Sequence, residues 1–304
     1  MTLLDQLPQQ ARVAVIRVRS LGDCVLTTPA LGMLKATRPD LSIGVAVEDR
    51  FRAVFEGNPA ISQILAASWS AVREWKPELC VNLHGGTRSQ WMTALSGAKW
   101  RAGFAHHNTT LAYNIKIPRA QKVLGVQRTV HTAEHMASAF IALGVPLQDV
   151  PRAQLFTNEA SLPGRYAVLH PFASAPEKQW RSERFCEVAR YLDLWNIKPV
   201  VLAGPHDDIT PFKAHQTVRG SLQAAKTLLS KATVFVGNDS GPAHMAAAFG
   251  VPCVVLFGPS NHSIWGPWQT ESEIVVAPDG LKDLSVSRVI AALERLRMFE
   301  EAHA

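Results

Sequence analysis

The stretch VFVGNDSGPAHMAAAFGVPCVVLFGPS, residues 234–260, sets an acid, a hydroxyl, a glycine and a proline between two β-branched apolar runs. A buried strand that turns straight into a helix leaves the first helical N–H groups without intrahelical partners, and that end favours an anion. Gly241 permits the tight turn, and Asp239 or Ser240 is placed to cap the helix. Pro242 suits the first helical position, where a missing N–H has no intrahelical role. Ser240 adds a hydroxyl donor and His244, one turn further on, a ring donor. The segment therefore reads either as a well-capped turn or as a phosphate-sized anion site. The next strand end, LFGPSNHSIWGPW (256–268), again gathers glycine, serine and asparagine, which weights the choice towards a ligand site.

Other residues invite chemical readings. Asp207 and Asp208, in GPHDD, stand at a strand end, where a carboxylate can accept from two vicinal hydroxyls or cap the following helix. Gly22-Asp23 before an apolar helix is a common capping arrangement. Arg17, Arg19, Arg88 and Arg101 fall near strand ends or turns of the first half. Cys24 has no neighbouring base and reads as a buried helix residue rather than a nucleophile. His106-His107 lies in a polar loop with no helical HxxxH or HExxH spacing to suggest a metal, whereas His131 and His135 do have the i, i+4 spacing that a metal site can use.

The elements that must position these residues alternate. VAVIRV (13–18), SIGVAVE (42–48) and ELCVNLHG (78–85) are strand-like, each followed by a helix-like or amphipathic segment. The rhythm lapses over about 145–165, a proline-bearing linker, and resumes with YAVLHP (166–171), KPVVLAGP (198–205), TVFVGND and PCVVLFGPS. Alternation of this kind implies two mainly parallel sheets covered by helices, with ligands beyond the strand C-terminal ends. The C-terminal SVSRVIAALERLRMFEEAHA is an amphipathic helix that either docks on its own domain or crosses back.

The chain has 304 residues, more than one compact core usually spans. Its four dispersed cysteines favour a reducing, cytoplasmic compartment. No basic n-region with a long apolar core opens the chain, and no run of 18 apolar residues occurs, which argues against export and membrane spanning. A net charge of +6 suits an acidic partner or plain solubility. The basic residues are spread out and form no nucleic-acid-binding pattern, so no nucleic acid partner is expected.

FVGNDSGPAHMAAAFGVPCVVLFGPS strongly resembles the signature of family 9 glycosyltransferases, the ADP-heptose:lipopolysaccharide heptosyltransferases. RVRSLGDCVLTTPALGMLKATRPD, NLHGGTRSQWMTALSGAKWRAGF, HTAEHMASAFIALGVP, HPFASAPEKQWRSERFCEVARYL and VVLAGPHDD resemble further family motifs in the family's order, over nearly the whole chain. The resemblance implies the GT-B architecture: an N-terminal, acceptor-binding Rossmann-like domain (1–160) and a C-terminal, nucleotide-sugar-binding one (161–304) facing a central cleft. It implies inversion at the anomeric carbon with no cofactor and no metal. Asp23 matches the family's base and Lys178 its diphosphate-binding lysine. Ser174, Asp207, Asp239, Ser240, Gly241 and His244 match the donor site, with Asp208 a rival to Asp207 for the ribose. The four arginines would face an acidic lipid-linked saccharide, and with it peripheral contact with the inner membrane. The chain departs from common family forms at Phe172 (usually glycine), Asn82 (usually aspartate) and Ser260-Asn261-His262 (usually Thr-Asp-Pro). Alternatives are another nucleotide-sugar donor, a nucleotide-sugar epimerase of similar architecture, or a catalytically idle binding module.

Overall fold

In the computed structural model, which describes residues 1–107 and 111–296, the chain divides into two compact units, Met1–Phe156 and Thr157–Ala304. The first unit runs β1 (Arg12–Ile16), α1 (Leu21–Thr37), β2 (Ser42–Val47), β3 (Gln63–Ala66), α2 (Trp69–Glu74) and β4 (Leu79–Asn82). It continues with α3 (Thr87–Ala94), β5 (Trp100–Phe104), β6 (Ile115–Ile117), α4 (Ala120–Leu124) and α5 (Thr132–Leu143). Its six strands are all parallel, in the order β3-β2-β1-β4-β5-β6.

The second unit repeats the plan with β7 (Tyr166–His170), α6 (Ser182–Leu194), β8 (Lys198–Ala203), β9 (Gln216–Arg219), α7 (Leu222–Leu229) and β10 (Val234–Asn238). Then come α8 (Gly241–Phe249), β11 (Cys253–Phe257), α9 (His262–Trp265), β12 (Ser272–Val276) and α10 (Val286–Glu294). The order β12-β11-β10-β7-β8-β9, again all parallel, is the same winding.

Central strands such as RVAVI, LCVN, VFVGN and CVVLF are buried almost end to end, as strands covered by helices on both faces must be. The second core gathers Trp180, Phe185, Val188 and Leu192 with Val289 and Leu293 of α10. Within the described residues α10 thus docks on its own unit, against α6, β11 and β12. The predicted helix beyond 296 lies outside the described residues.

In each sheet the winding reverses beside the first strand, so two neighbouring crossovers leave in opposite directions and open a crevice at the strand C-terminal ends. Those crevices lie at β1/β4 and β7/β10. A buried asparagine ends the strand on one side of each. Asn82 Oδ1 accepts from the N–H groups of His84 and Gly85, both at 3.0 Å, while its amide donates to Ser89 and Thr93. Asn238 Oδ1 accepts from Trp180 N–H at 3.2 Å, and its amide donates to Pro171 O at 2.8 Å. Each amide meets donors and acceptors at once, and an aspartate offers no such donor. At position 82 what an aspartate would lack is the amide that donates to Ser89 and Thr93 of α3.

Asn238→Ala should strand the Trp180 N–H and the Pro171 carbonyl and lower stability by about 2–4 kcal/mol. Chemical denaturation checks this, with loss of order expected to reach the 171–180 loop first by hydrogen exchange.

Candidate active site

In the first unit the β1 end carries the chemistry. Arg17 is 4% exposed; its Nη1 donates to Leu83 O at 2.6 Å, on the β4 side of the crevice, and its Nη2 pairs with Asp23 Oδ1. Asp23 is the third residue of α1. Its Oδ2 accepts from the Ser20 hydroxyl at 2.9 Å and from the Ser20 N–H at 3.3 Å, which completes a capping box. The capping and catalytic readings of Asp23 thus fall on one carboxylate, fixed in its rotamer and still 19% exposed. Arg17, expected to face an acceptor, is instead committed to Asp23 and to the second crossover loop. Arg19 stands exposed beside it.

Arg88, at the start of α3, reaches back to Ala67 O (2.5 Å) and to Glu48 Oε1 (3.2 Å). Glu48 is tied by its N–H to Val18 O, just before the Asp23 loop. These residues line a cavity of about 320 Å³ beyond the C-terminal ends of β2 and β3, with Val47, Arg52 and Ser68. Arg101 goes elsewhere. It lies level with Cys80 and Ala14, and its guanidinium donates to Ala98 O and Ala112 O, which ties down the entry to β5 rather than the crevice.

Four histidines surround this crevice, and sequence reading had not assembled them. His135 stacks on Phe104 with ring centroids 4.1 Å apart, His106 and His107 pack against the same ring, and His84 follows β4. Burial, then the charges of His106 and Arg17, push His135 down to about 4; burial and His106 do the same to His107. His84 is lowered by burial and by Arg17, against the opposing pull of Asp23. At neutral pH the His135 and His107 rings are therefore uncharged. Phe104 is the common neighbour of His106, His107 and His135, and His84 joins them through its electrostatic effect on His107. His131, four residues before His135, accepts from Ala133 N–H and caps α5. Among the described residues no three His, Cys, Asp or Glu side chains are arranged to hold a metal ion. Burial raises Cys24 to about 12, a protonated and unreactive thiol.

In the second unit Lys178 and Asp239, 61 positions apart, meet across the β7/β10 crevice with Nζ and Oδ2 3.1 Å apart. Lys178 sits in a single 3-10 turn, Pro176–Lys178, between the exposed Ser174 and the buried anchor Trp180, whose indole donates to Leu284 O. Phe172, where the family usually has glycine, packs against the core and edge-on to His170 and Phe212. Asp239 turns to the lysine, and Ser240 is the N-cap of α8 without capping it through its side chain. The expected side-chain cap is therefore missing because Asp239 has a stronger, charged partner. Gly241 and Pro242 occupy the first and second helical positions, one later than expected for the proline. Ser240 Oγ is buried with no hydrogen-bond partner among the described residues. His244, 5% exposed, packs edge-on to Trp265 of α9.

The result is an uncapped helix N-terminus, a hydroxyl and an ammonium in one crevice, a combination suited to a phosphate group. Asp207 lies at the end of β8, where Oδ2 accepts from Gly204 N–H at 2.7 Å and Arg219 clamps the carbonyls of Gly204, Pro205 and Asp207. Asp208 instead accepts from Thr210 N–H and starts the next turn.

Comparison with known proteins bears on the family and the fold. The sequence pattern of glycosyltransferase family 9 (heptosyltransferase) matches residues 65–288. The chain is 25% identical over 295 residues to lipopolysaccharide heptosyltransferase 3 of Escherichia coli, covering 81% of this chain and 83% of that protein. A family 9 glycosyl transferase from Veillonella parvula superposes with a TM-score of 0.81 at 23% identity, over 96% of this chain and 98% of that one. E. coli heptosyltransferase WaaC, solved with ADP, gives 0.77 at 22% identity, over 93% and 99%.

A histidine held below its unfolded value of about 6.5 gives stability that is fully present above that pH and lost as pH falls towards the folded value. The melting temperature should therefore drop by several degrees between about pH 6.5 and 4.5, before most carboxylates titrate. His135→Gln should flatten that slope in thermal unfolding followed by circular dichroism; an unchanged slope would show that His135 carries none of it.

Proposed function

The chain belongs to glycosyltransferase family 9, and on that premise we propose that it transfers heptose from ADP-heptose to a sugar of the lipopolysaccharide core. The observation that carries this reading is the Lys178–Asp239 pair beside the uncapped start of α8 and the unpartnered Ser240 hydroxyl. A diphosphate arriving there exchanges with Asp239 for the ammonium and takes up the Ser240 hydroxyl and the first helical N–H groups. Asp239, released, is free to accept from sugar hydroxyls. Asp207 is oriented by Gly204, with one oxygen left for the ribose. A relative aligned over most of the chain is a lipopolysaccharide heptosyltransferase, and a similar structure was solved with ADP.

In this reading the acceptor hydroxyl attacks the anomeric carbon as the bond from that carbon to the diphosphate oxygen breaks. The electron pair leaves with ADP, the hydroxyl proton passes to Asp23, and the anomeric configuration inverts. Positive charge at Lys178 and the helix N-terminus stabilises the departing diphosphate without a metal ion. Asp23 is placed for the proton by Ser20 and Arg17. Exposed Arg19 supplies positive charge for an acidic, lipid-linked acceptor, whereas Arg88 lies in a cavity where Glu48 and Asp49 offset Arg88 and Arg52, and the reaction takes place in the cytoplasm. Arg17 acts through Asp23, and Arg101 plays no part.

ADP at 100 times its dissociation constant should stabilise the protein by about 2.7 kcal/mol. That corresponds to a thermal shift of about 5–10 °C, insensitive to EDTA and absent with UDP, GDP or dTDP. A shift with UDP or dTDP alone would replace the donor, and a shift abolished by EDTA would overturn the metal-free site. With ADP-heptose as donor, Asp23→Asn should retain ADP binding and lose about 10²–10⁴-fold in kcat. Lys178→Ala should weaken ADP binding and lower kcat by about 10²–10³-fold. Near wild-type turnover in Asp23→Asn would remove it as the base.

A further inference from the structure

Two short helices of the first unit present an apolar, aromatic surface to solvent. Trp69 opens α2 at 50% exposure; Trp91 and Leu95, one turn apart on α3, are 62% and 38% exposed. These helices lie side by side, joined at both ends. Arg88, near the start of α3, donates to Ala67 O beside Trp69, and Arg73, one turn after Trp69, donates to Leu95 O at 3.5 Å. Trp69 and Trp91 therefore belong to one surface rather than to two isolated positions.

The segments 69–76 and 87–99 that build this surface carry four basic side chains, Arg73, Lys76, Arg88 and Lys99, against the single acid Glu74. Exposed indoles on cationic segments are a poor match for water and a good one for the headgroup region of a bilayer. There the ring lies at the apolar boundary with its N–H hydrated, while lysine and arginine meet anionic lipid. The helices are too short and too polar to enter a bilayer, and among the described residues no helix is long and apolar enough to cross one. Contact at the surface remains.

We propose that the α2–α3 face, centred on Trp69, Trp91 and Leu95, with Arg73 bonded to Leu95 O and exposed Lys99 on the segment that follows α3, docks the first unit on an anionic lipid surface. The proposal extends the reading of a lipid-linked acceptor, since it assigns a surface that holds the enzyme where such an acceptor resides. Its test uses neither donor nor acceptor.

Purified full-length protein is mixed with vesicles of phosphatidylcholine alone or with 30% phosphatidylglycerol and separated by flotation. The wild type should float with the anionic vesicles, remain in solution with neutral ones, and dissociate as salt rises from 0.05 to 0.5 M. Trp69→Ser/Trp91→Ser should lower the bound fraction at least tenfold, and Arg73→Gln/Lys99→Gln should remove the anionic preference. The ADP-induced thermal shift is measured on each variant to report that the fold and the donor site are intact. The charge variant, altered only at exposed side chains, keeps the test valid if the tryptophan variant fails to fold. Absence of wild-type flotation, or equal flotation of folded variants, would overturn the proposal. So would light scattering that shows a wild-type dimer dispersed by the tryptophan changes, because the face would then be a contact between copies. A failed ADP shift with intact flotation would count against the donor reading and leave the surface standing.

Discussion

Parallel pairing is the constraint on which the structure depends. Because every strand in each sheet points the same way, all strand C-termini and the N-termini of the helices that follow gather on one edge. Each helix start brings unpaired N–H groups and a positive dipole end to that edge. Reversal of the winding beside β1 and β7 then separates two adjacent crossovers and leaves room between them. Asp23 and the Arg17 that holds it lie at the first reversal, and Lys178, Asp239 and Ser240 at the second. The reactive side chains need no special scaffold beyond this; they occupy the place that a doubly wound sheet leaves open.

The two crevices solve the problem of holding charge in different ways. In the first, a nearly buried arginine is joined to a carboxylate and to a carbonyl of the neighbouring crossover, so the acid is fixed before any substrate arrives. His84 and His135 lie near it, and the burial that lowers both rings also makes the neighbourhood less favourable to additional charge. In the second, the ion pair is half open. Lys178 remains 31% exposed while its partner Asp239 is only 9% exposed, so the ammonium is open to an anionic ligand and the carboxylate then needs other donors. A fixed acid and an exchangeable cation are what proton acceptance and leaving-group stabilisation respectively require.

Buried asparagines hold both crevices open. Asn82 and Asn238 end the fourth strand of their sheets, and each satisfies loop N–H groups with its oxygen while its amide donates elsewhere. Loops that must run close to a ligand have few side chains of their own to anchor them. An amide with both donor and acceptor at the strand end supplies that anchor from below.

The alternation of apolar runs and amphipathic segments, together with the glycine and proline at 241 and 242, was sufficient in sequence for two parallel α/β units and for the strand-to-helix turn that opens α8. Periodicity and turn chemistry are local, and they survive without knowledge of partners. The order of the motifs was likewise enough to point to the family. Tertiary structure alone decided what the candidate site residues touch. It joined Lys178 to Asp239 across 61 positions, turned Arg17 inward to Asp23, and carried Arg101 away to the carbonyls at the entry to β5. It also drew His84, His106, His107 and His135 into one group. A side chain's partner depends on where distant strands bring their ends, and that is set by sheet order and packing, which no local spacing in the chain encodes.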